Sequence, residues 1–258
     1  YRVLTALHGS KVPVAKPYHL CKDDSVIGSM FYVMEYIDGD IFWDPSFPDF
    51  TPAQRGDYYD AILQTMAALH SVDIESAGLS DYGKPGNYFS RQISRWSEQY
   101  RAAETDDIDA MNKLMEMLPL RCPDDDGSVA LVHGDFRIDN LMFAKGKPQI
   151  SAIVDWELST LGHPLADLGY FCMALRLPRN PALPGLAGLN RKELGIPSEE
   201  KILKRYAELT GRDIPEDWPF VLSFCFFRLA AIAQGVAKRA QQGNASSEQA
   251  MQAGQMTA

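Results

Sequence analysis

The chain has 258 residues, enough for one large domain or two small ones with an ample hydrophobic core. Hydrophobic residues make up 46% and charged residues 23% of it, as in ordinary globular proteins, and its net charge of −9 argues against a nucleic-acid partner. The scattered cysteines favour structural thiols in a reducing cytoplasm and disfavour a zinc site. These are Cys21, Cys122, Cys172 and Cys225.

No signal peptide opens the chain, and the longest apolar stretch, 220–233, is short of a bilayer span. That stretch contains Arg228, so we expect a buried helix, no membrane partner and a cytoplasmic location.

The N-terminal part has an amphipathic segment at 1–7, which Gly9 ends, and then two β-rich runs at 17–21 and 30–37. A polar turn joins the runs, so we expect a hairpin. Because the chain begins in the middle of a helical pattern, we also expect that residues precede Tyr1 in the complete protein.

Helical patterns dominate the rest of the chain. Thr51-Pro52-Ala53-Gln54 combines an N-cap, a first-turn proline and a capping-box glutamine, and predicts a helix up to His70. Further helices are expected at 87–100, 108–118, 198–209 and 219–240, with an ordered surface loop at 178–195. Residues 241–258 predict a frayed or disordered tail.

Short strands at 129–132, 141–144 and 150–154 interrupt the helices, and a tight turn at 145–148 predicts a hairpin. Segregated strands and helices indicate an α+β fold with two lobes. We place the smaller, β-rich lobe at 1–37 and the helical lobe with its hairpin at 38–240.

The residues best suited to chemistry lie in the run LVHGDFRIDN, 131–140, and in VDWE, 154–157. Asp135 follows a buried strand, where a short loop can hold a general base. An isolated HGD could equally contain an aspartate that stabilises a turn. The joint pattern, with Asn140 and a strand ending in Asp155, favours a catalytic interpretation.

Asn140 and Asp155 are the candidate Mg²⁺ ligands, since Mg²⁺ takes hard oxygen ligands from one or two side chains. A hairpin can return Asp155 beside Asn140. His133 is expected to orient the loop and not to transfer protons. Asp167 could brace the loop through backbone N–H groups or cap the following helix.

These motifs resemble the aminoglycoside phosphotransferase and choline-kinase-like branch of the protein-kinase-like fold. HGDFRIDN matches its catalytic loop, and VDWE stands where protein kinases have DFG. The resemblance implies a bilobal fold, ATP and Mg²⁺ as cofactors, and a small-molecule hydroxyl as acceptor. It implies Asp135 as base, Asn140 and Asp155 as metal ligands, and Arg137 near the γ-phosphate. Gly134 stands where protein kinases have the arginine that couples to a phosphorylated activation loop.

The same resemblance makes FYVMEYIDGD, 31–40, the hinge between the lobes. It implies that the backbone of Glu35 and Ile37 binds adenine, with Met34 as gatekeeper. The family's Gly-rich loop and strand lysine have no counterpart here, because Lys16 is followed by Pro17 and leads directly into the hinge hairpin. We therefore expect a truncated β-rich lobe, and a non-catalytic domain that binds nucleotide or a CoA thioester is the alternative.

A narrower resemblance concerns GNYFSRQISRW, 86–96, which is similar to phosphotransferase-like domains associated with acyl-CoA dehydrogenases. It implies a hydroxyacyl-CoA acceptor, while an amino alcohol stays open. Arg91 and Arg95, four residues apart on a helix, could meet an anionic substrate or could form a solvated face.

Overall fold

The computed structural model describes residues 1–181 and 183–241, and confirms the α+β class. Within these ranges the helices are α1 Arg2–Leu7, α2 Pro52–His70, α3 Tyr88–Ala103, α4 Asp109–Arg121, α5 Leu165–Met173, α6 Arg191–Leu194, α7 Glu199–Thr210 and α8 Trp218–Gln241. The strands are β1 Pro17–Cys21, β2 Phe31–Met34, β3 Gly39–Ile41, β4 Ala130–Val132, β5 Leu141–Ala144, β6 Ile150–Ile153 and β7 Thr160–Gly162. The tail predicted to be disordered lies, from residue 242 on, outside the described residues.

The N-terminal hairpin forms as predicted, with β1 antiparallel to β2 and Cys21 opposite Phe31. Its second strand is shorter than expected, because it ends at Met34 and not at residue 37. Pro17 begins the partner strand and, having no N–H, cannot continue the ladder as a donor. Beyond Met34 the Glu35 N–H still donates to the Lys16 carbonyl at 2.8 Å, although neither residue belongs to the two strands.

The predicted hairpin of the helical part is correct, with Leu141 of β5 opposite Ile153 of β6. The structure adds a third strand, since β3 pairs with β5 on its other edge. It also pairs β4 with β7 in a separate two-stranded sheet, where Val132 lies opposite Thr160. Strands β3 and β7 were not predicted from the sequence, since three residues are too few for an alternating pattern.

Helix α2 begins as its sequence predicts. The Thr51 side chain accepts from the Gln54 backbone, and Gln54 accepts from the Thr51 backbone in return. The predicted loop at 178–195 needs a correction, because its last part forms α6, which the Asn190 side chain caps. This short helix satisfies backbone groups that a loop would leave open.

Helix α8 packs against α3, α4 and α5 and supplies much of the core of the helical part. By length and composition Trp218–Ala240 could cross a membrane, but 61% of its most apolar window is buried inside the fold. The apolar stretch is therefore a core helix, as the sequence predicts. Leu131 of β4 and Phe136 beyond it are fully buried in the same core.

Candidate active site

The loop that carries Asp135 begins at the end of β4, whose three residues are all buried. Gly134 has φ = +83°, a conformation that strongly favours glycine. A Cβ at this position would also overlap the Leu158 carbonyl oxygen. The tight approach of residue 134 to 158 therefore fixes where Asp135 leaves the strand.

Asp167 braces this loop from α5. Its carboxylate accepts hydrogen bonds from the backbone N–H of His133 (2.6 Å) and of Gly134 (2.8 Å). It does not cap its own helix through these contacts. Its Oδ2 also lies 3.2 Å from Nε2 of His70, whose Nδ1 lies 2.8 Å from the Tyr206 hydroxyl. An ionised carboxylate makes Nε2 the donor, so Nδ1 accepts from the Tyr206 hydroxyl.

The pKa of Asp167 reflects this environment. Burial favours its neutral form, but the hydrogen bond and electrostatic attraction of His70 and the contacts with His133 outweigh burial and hold the pKa below its ordinary value. The carboxylate is thus ionised at neutral pH and binds both loop N–H groups.

His133 is completely buried behind the loop. Its Nε2 lies 2.8 Å from the carbonyl oxygen of Val154, and its Nδ1 accepts from the backbone N–H of Asp135 at 3.2 Å. With Nε2–H donating to Val154, the imidazole has no nitrogen left for a substrate. This geometry suits the orienting role expected from the sequence.

The Asp135 carboxylate is held by two neighbours on its own loop. The side-chain amide of Asn140 donates to the Asp135 carbonyl at 2.8 Å and to Oδ2 at 3.0 Å. Nε of Arg137 lies 3.1 Å from Oδ1. Asp135 therefore presents a restrained carboxylate, as a general base requires.

Arg137 is shared between two carboxylates. Besides Asp135, it pairs with Asp139, where Nη2 and Oδ2 are 3.0 Å apart. Burial raises the pKa of Asp139, and the nearby charges of Asp135 and Asp155 act in the same direction. No pattern in the sequence predicted the role of Asp139, and the structure directs Arg137 to these acids and not to open solvent.

Asn140 and Asp155 come together as the hairpin spacing predicts. The N–H of Val154 donates to the Asn140 carbonyl at 3.0 Å, which places the next residue, Asp155, beside the loop. Asp155 is exposed and has φ = +62°, an uncommon conformation that a short acidic residue tolerates. The side-chain nitrogen of Asn140 donates to Asp135, so the side-chain oxygen is the atom available to bind a metal ion.

This donor set, one amide oxygen and one carboxylate, fits Mg²⁺ that is also bound by phosphate and water. Within 1–181 and 183–241 no cluster of three or more His, Cys, Asp or Glu side chains could hold a metal by itself. An ion here would therefore depend on a bound nucleotide.

The segment expected to bind adenine is open. Met34 and Tyr36 are 45% and 87% exposed. The Glu35 N–H is used by the Lys16 carbonyl (2.8 Å), but the Glu35 C=O and both backbone groups of Ile37 have no hydrogen-bond partner among the described residues. These are the groups that the resemblance assigns to adenine.

A cavity of about 170 Å³ adjoins the catalytic loop on the side of Arg137 and Asp139. Trp43 forms part of its mouth and is 70% exposed. Most of its other walls are apolar or aromatic. They include Pro45, Phe136, Ile138, Tyr170, Phe171, Met173, Ala174, Leu177, Leu183, Pro184 and Leu229.

Arg91 and Arg95 do not line this cavity. Arg91 donates to the backbone carbonyls of Lys84 and Pro85, and Arg95 lies over the Trp96 ring at 5.7 Å. Neither is presented to Asp135, so the structure gives no support to a shared substrate face. The spacing of the two arginines on a helix could not reveal that the guanidinium of Arg91 hydrogen-bonds to nearby backbone carbonyls.

The comparisons with known proteins agree with this geometry. Residues 1–197, more than half of the chain, match the model of the phosphotransferase enzyme family. The chain belongs to that family. A crystal structure from Ralstonia eutropha JMP134, provisionally assigned as an aminoglycoside phosphotransferase, superposes with a TM-score of 0.95 at 50% identity. That match covers 100% of this chain and 78% of the other.

Acyl-CoA dehydrogenase family member 10 of Mus musculus is 45% identical over 258 residues, which are 100% of this chain and 24% of that protein. The chain thus spans about a quarter of this curated relative. A GDP complex of aminoglycoside 2'-phosphotransferase-IIIa shares the fold, with a TM-score of 0.60 at 13% identity over 99% of this chain and 78% of that one. The phosphotransferase family and the kinase-like fold are therefore shown.

Proposed function

We propose that this protein is an ATP-dependent phosphotransferase that transfers the γ-phosphoryl group to a hydroxyl of a small molecule. The observation that carries the proposal is the restrained carboxylate of Asp135 beside the oxygen donors of Asn140 and Asp155. Phosphoryl transfer needs positioning and charge neutralisation more than covalent help from the protein. The loop at 133–140 and the end of β6 at Asp155 together supply both kinds of group.

In this proposal Asp135 accepts or orients the proton of the acceptor hydroxyl. Asn140 and Asp155 would hold Mg²⁺, which when bound neutralises charge on the nucleotide phosphates. Arg137, paired with Asp135 and Asp139, keeps a positive charge beside the base. The proposed role of Arg137 is therefore to hold the carboxylates as well as to approach the γ-phosphate.

The open backbone groups of Glu35 and Ile37 support the adenine site, with Met34 as its neighbouring gatekeeper. The GDP bound by a fold relative supports a nucleotide as partner, although the choice of ATP over GTP is part of the proposal. A cytoplasmic location and the absence of nucleic-acid and membrane partners stay predictions of the sequence.

The cavity next to Arg137 favours an acceptor with an apolar body. Asp139 is the carboxylate in its lining, and Arg137 already neutralises it. A polyamine such as an aminoglycoside would desolvate several charges against these walls without a free anion. We therefore propose a hydroxylated acyl chain, as in a hydroxyacyl-CoA, in preference to an aminoglycoside. A quaternary amino alcohol, which aromatic walls bind through cation–π contacts, is the second candidate acceptor.

Acceptor-dependent release of ADP tests the proposal. Medium-chain hydroxyacyl-CoA, ethanolamine, choline and kanamycin would be compared with Mg·ATP as donor, and the phosphorylated product identified by mass spectrometry. We expect turnover with the hydroxyacyl-CoA. Asp135→Asn should lower kcat by about a hundredfold or more and leave nucleotide affinity unchanged. Asp81→Asn, which removes an exposed carboxylate that pairs with Arg2, should behave as wild type.

Two results would contradict the proposal. Nucleotide binding without phosphate transfer to any acceptor would favour the non-catalytic alternative. Transfer that survives intact in Asp135→Asn would remove the assigned base.

A further inference from the structure

Arg228 of α8 lies buried behind the catalytic loop, with only 5% of its surface exposed. Its Nη2 donates to the carbonyl oxygen of Gly134. Its guanidinium faces two aromatic rings, that of Trp96 at 5.4 Å and that of Tyr170 at 5.2 Å. It thereby connects α3, α5 and α8 to the residue that precedes Asp135.

Burying this guanidinium costs free energy, because a charged group loses its hydration. No carboxylate in the described part of the chain lies within ion-pairing distance of it, and its buried Nε has no hydrogen-bond partner there. A buried cation without an anion is weak as a source of stability, since desolvation opposes its contacts. Its hydrogen bond to the Gly134 carbonyl indicates that it serves to position the loop and not only to stabilise the fold.

Tyr170 links Arg228 to the base. Its ring faces the guanidinium and lines the cavity beside Arg137, and the Asp135 carboxylate is close enough to raise the pKa of its hydroxyl. Burial raises the pKa of this phenol, and the charge of Asp135 raises it further. The phenol therefore stays neutral, and its hydroxyl is a donor of the kind that a carboxylate accepts.

We propose that Arg228 and Tyr170 are positioning residues for phosphoryl transfer. Arg228 holds the Gly134 carbonyl and the Tyr170 ring, and the Tyr170 hydroxyl holds the Asp135 carboxylate from the cavity side. The inference rests on the proposed function of Asp135. Asn140 and Arg137 restrain the same carboxylate from within the loop. Arg228 and Tyr170 add a restraint from two helices outside the loop.

Matched controls exist for both residues. Arg55 is similarly buried (6% exposed), but it donates to the carbonyls of residues such as Ser46 and Leu194, away from the catalytic loop. Tyr59 is buried and donates to the Pro45 carbonyl at 2.8 Å. Removing these groups should affect stability without moving Asp135.

The test compares kcat and KM of Tyr170→Phe and Arg228→Lys with those of Tyr59→Phe and Arg55→Lys, using Mg·ATP and a medium-chain hydroxyacyl-CoA. Tyr170→Phe should lower kcat by about tenfold or more, the scale of one hydrogen bond to a charged group, with KM for Mg·ATP unchanged. Arg228→Lys retains the positive charge and an N–H donor for the Gly134 carbonyl, so it should keep more activity than Arg228→Met. The controls should lose thermal stability only.

A second readout separates this inference from the proposed function. If the wild type transfers no phosphate, the proposed function fails, and hydrogen exchange of the peptide 133–140 tests the pair by itself. Faster exchange there in Tyr170→Phe and Arg228→Lys than in the controls would support positioning. The inference would be overturned if exchange of this peptide were unchanged in both variants, or if Tyr170→Phe and Arg228→Lys of an active enzyme kept kcat within about twofold of wild type.

Discussion

Replacing Asp167 with asparagine should loosen the loop at 133–140, an effect that no local pattern around Asp167 predicts. The wild-type carboxylate accepts from the N–H groups of His133 and Gly134 and interacts with Nε2 of His70. Asparagine has the same shape but keeps one acceptor oxygen, and its NH₂ would face a backbone N–H. One buried donor then loses its partner and two donors oppose each other.

The size of the effect follows from these contacts. Hydrogen bonds to a charged group contribute about 1.5–3 kcal/mol each, and an unpaired buried donor costs about 1–3 kcal/mol. We therefore expect Asp167→Asn to lower the free energy of unfolding by about 2–4 kcal/mol near neutral pH. That is a large share of the roughly 5–15 kcal/mol by which a typical domain is stable.

The pH dependence supplies a second check. Because the folded-state pKa of Asp167 lies below its ordinary value of 3.8, its contribution is present above that value. The contribution is lost as pH falls through the lower folded-state pKa. The gap between wild type and variant should thus persist from neutral pH to about pH 4 and narrow below it.

Urea unfolding followed by tryptophan fluorescence measures both effects, with Asp81→Asn as the exposed control. A variant within about 1 kcal/mol of wild type near neutral pH would refute the reasoning, as would a gap that stays constant in acid.

Further predictions address the turn, the cavity and the metal. Gly134→Ala should destabilise the protein and reduce turnover, because φ is positive and the Leu158 carbonyl blocks a Cβ; Gly127→Ala, at φ = +74° with nothing within 4 Å, should cost less in thermal unfolding. Trp43→Ala should raise KM for an apolar acceptor about fivefold to tenfold in steady-state kinetics, while KM for ATP stays constant. Asp155→Ala should weaken nucleotide affinity about tenfold or more in calorimetric titrations with Mg²⁺, and an unchanged titration would refute the ligand role.

Short-range physics explains what the sequence predicted well. The capping box at Thr51 and Gln54 acts within one helical turn, and the hairpin of β5 and β6 closes over a tight turn. The spacing from Asp135 to Asn140 fits a single loop, whose side chains do meet in the structure. The fold class and the group formed by the loop residues therefore follow from local pattern.

The sequence alone determined that an acid, an amide and a second acid stand at strand ends, because propensity and turn chemistry act on neighbours. Only the tertiary structure decided what surrounds them, because Arg228, Tyr170 and His70 approach the loop from separate helices. Their contacts depend on how helices pack, and single residues on buried helix faces carry no periodic signal of it. Packing likewise turned Arg91 toward local carbonyls, away from the cavity that adjoins the loop of Asp135.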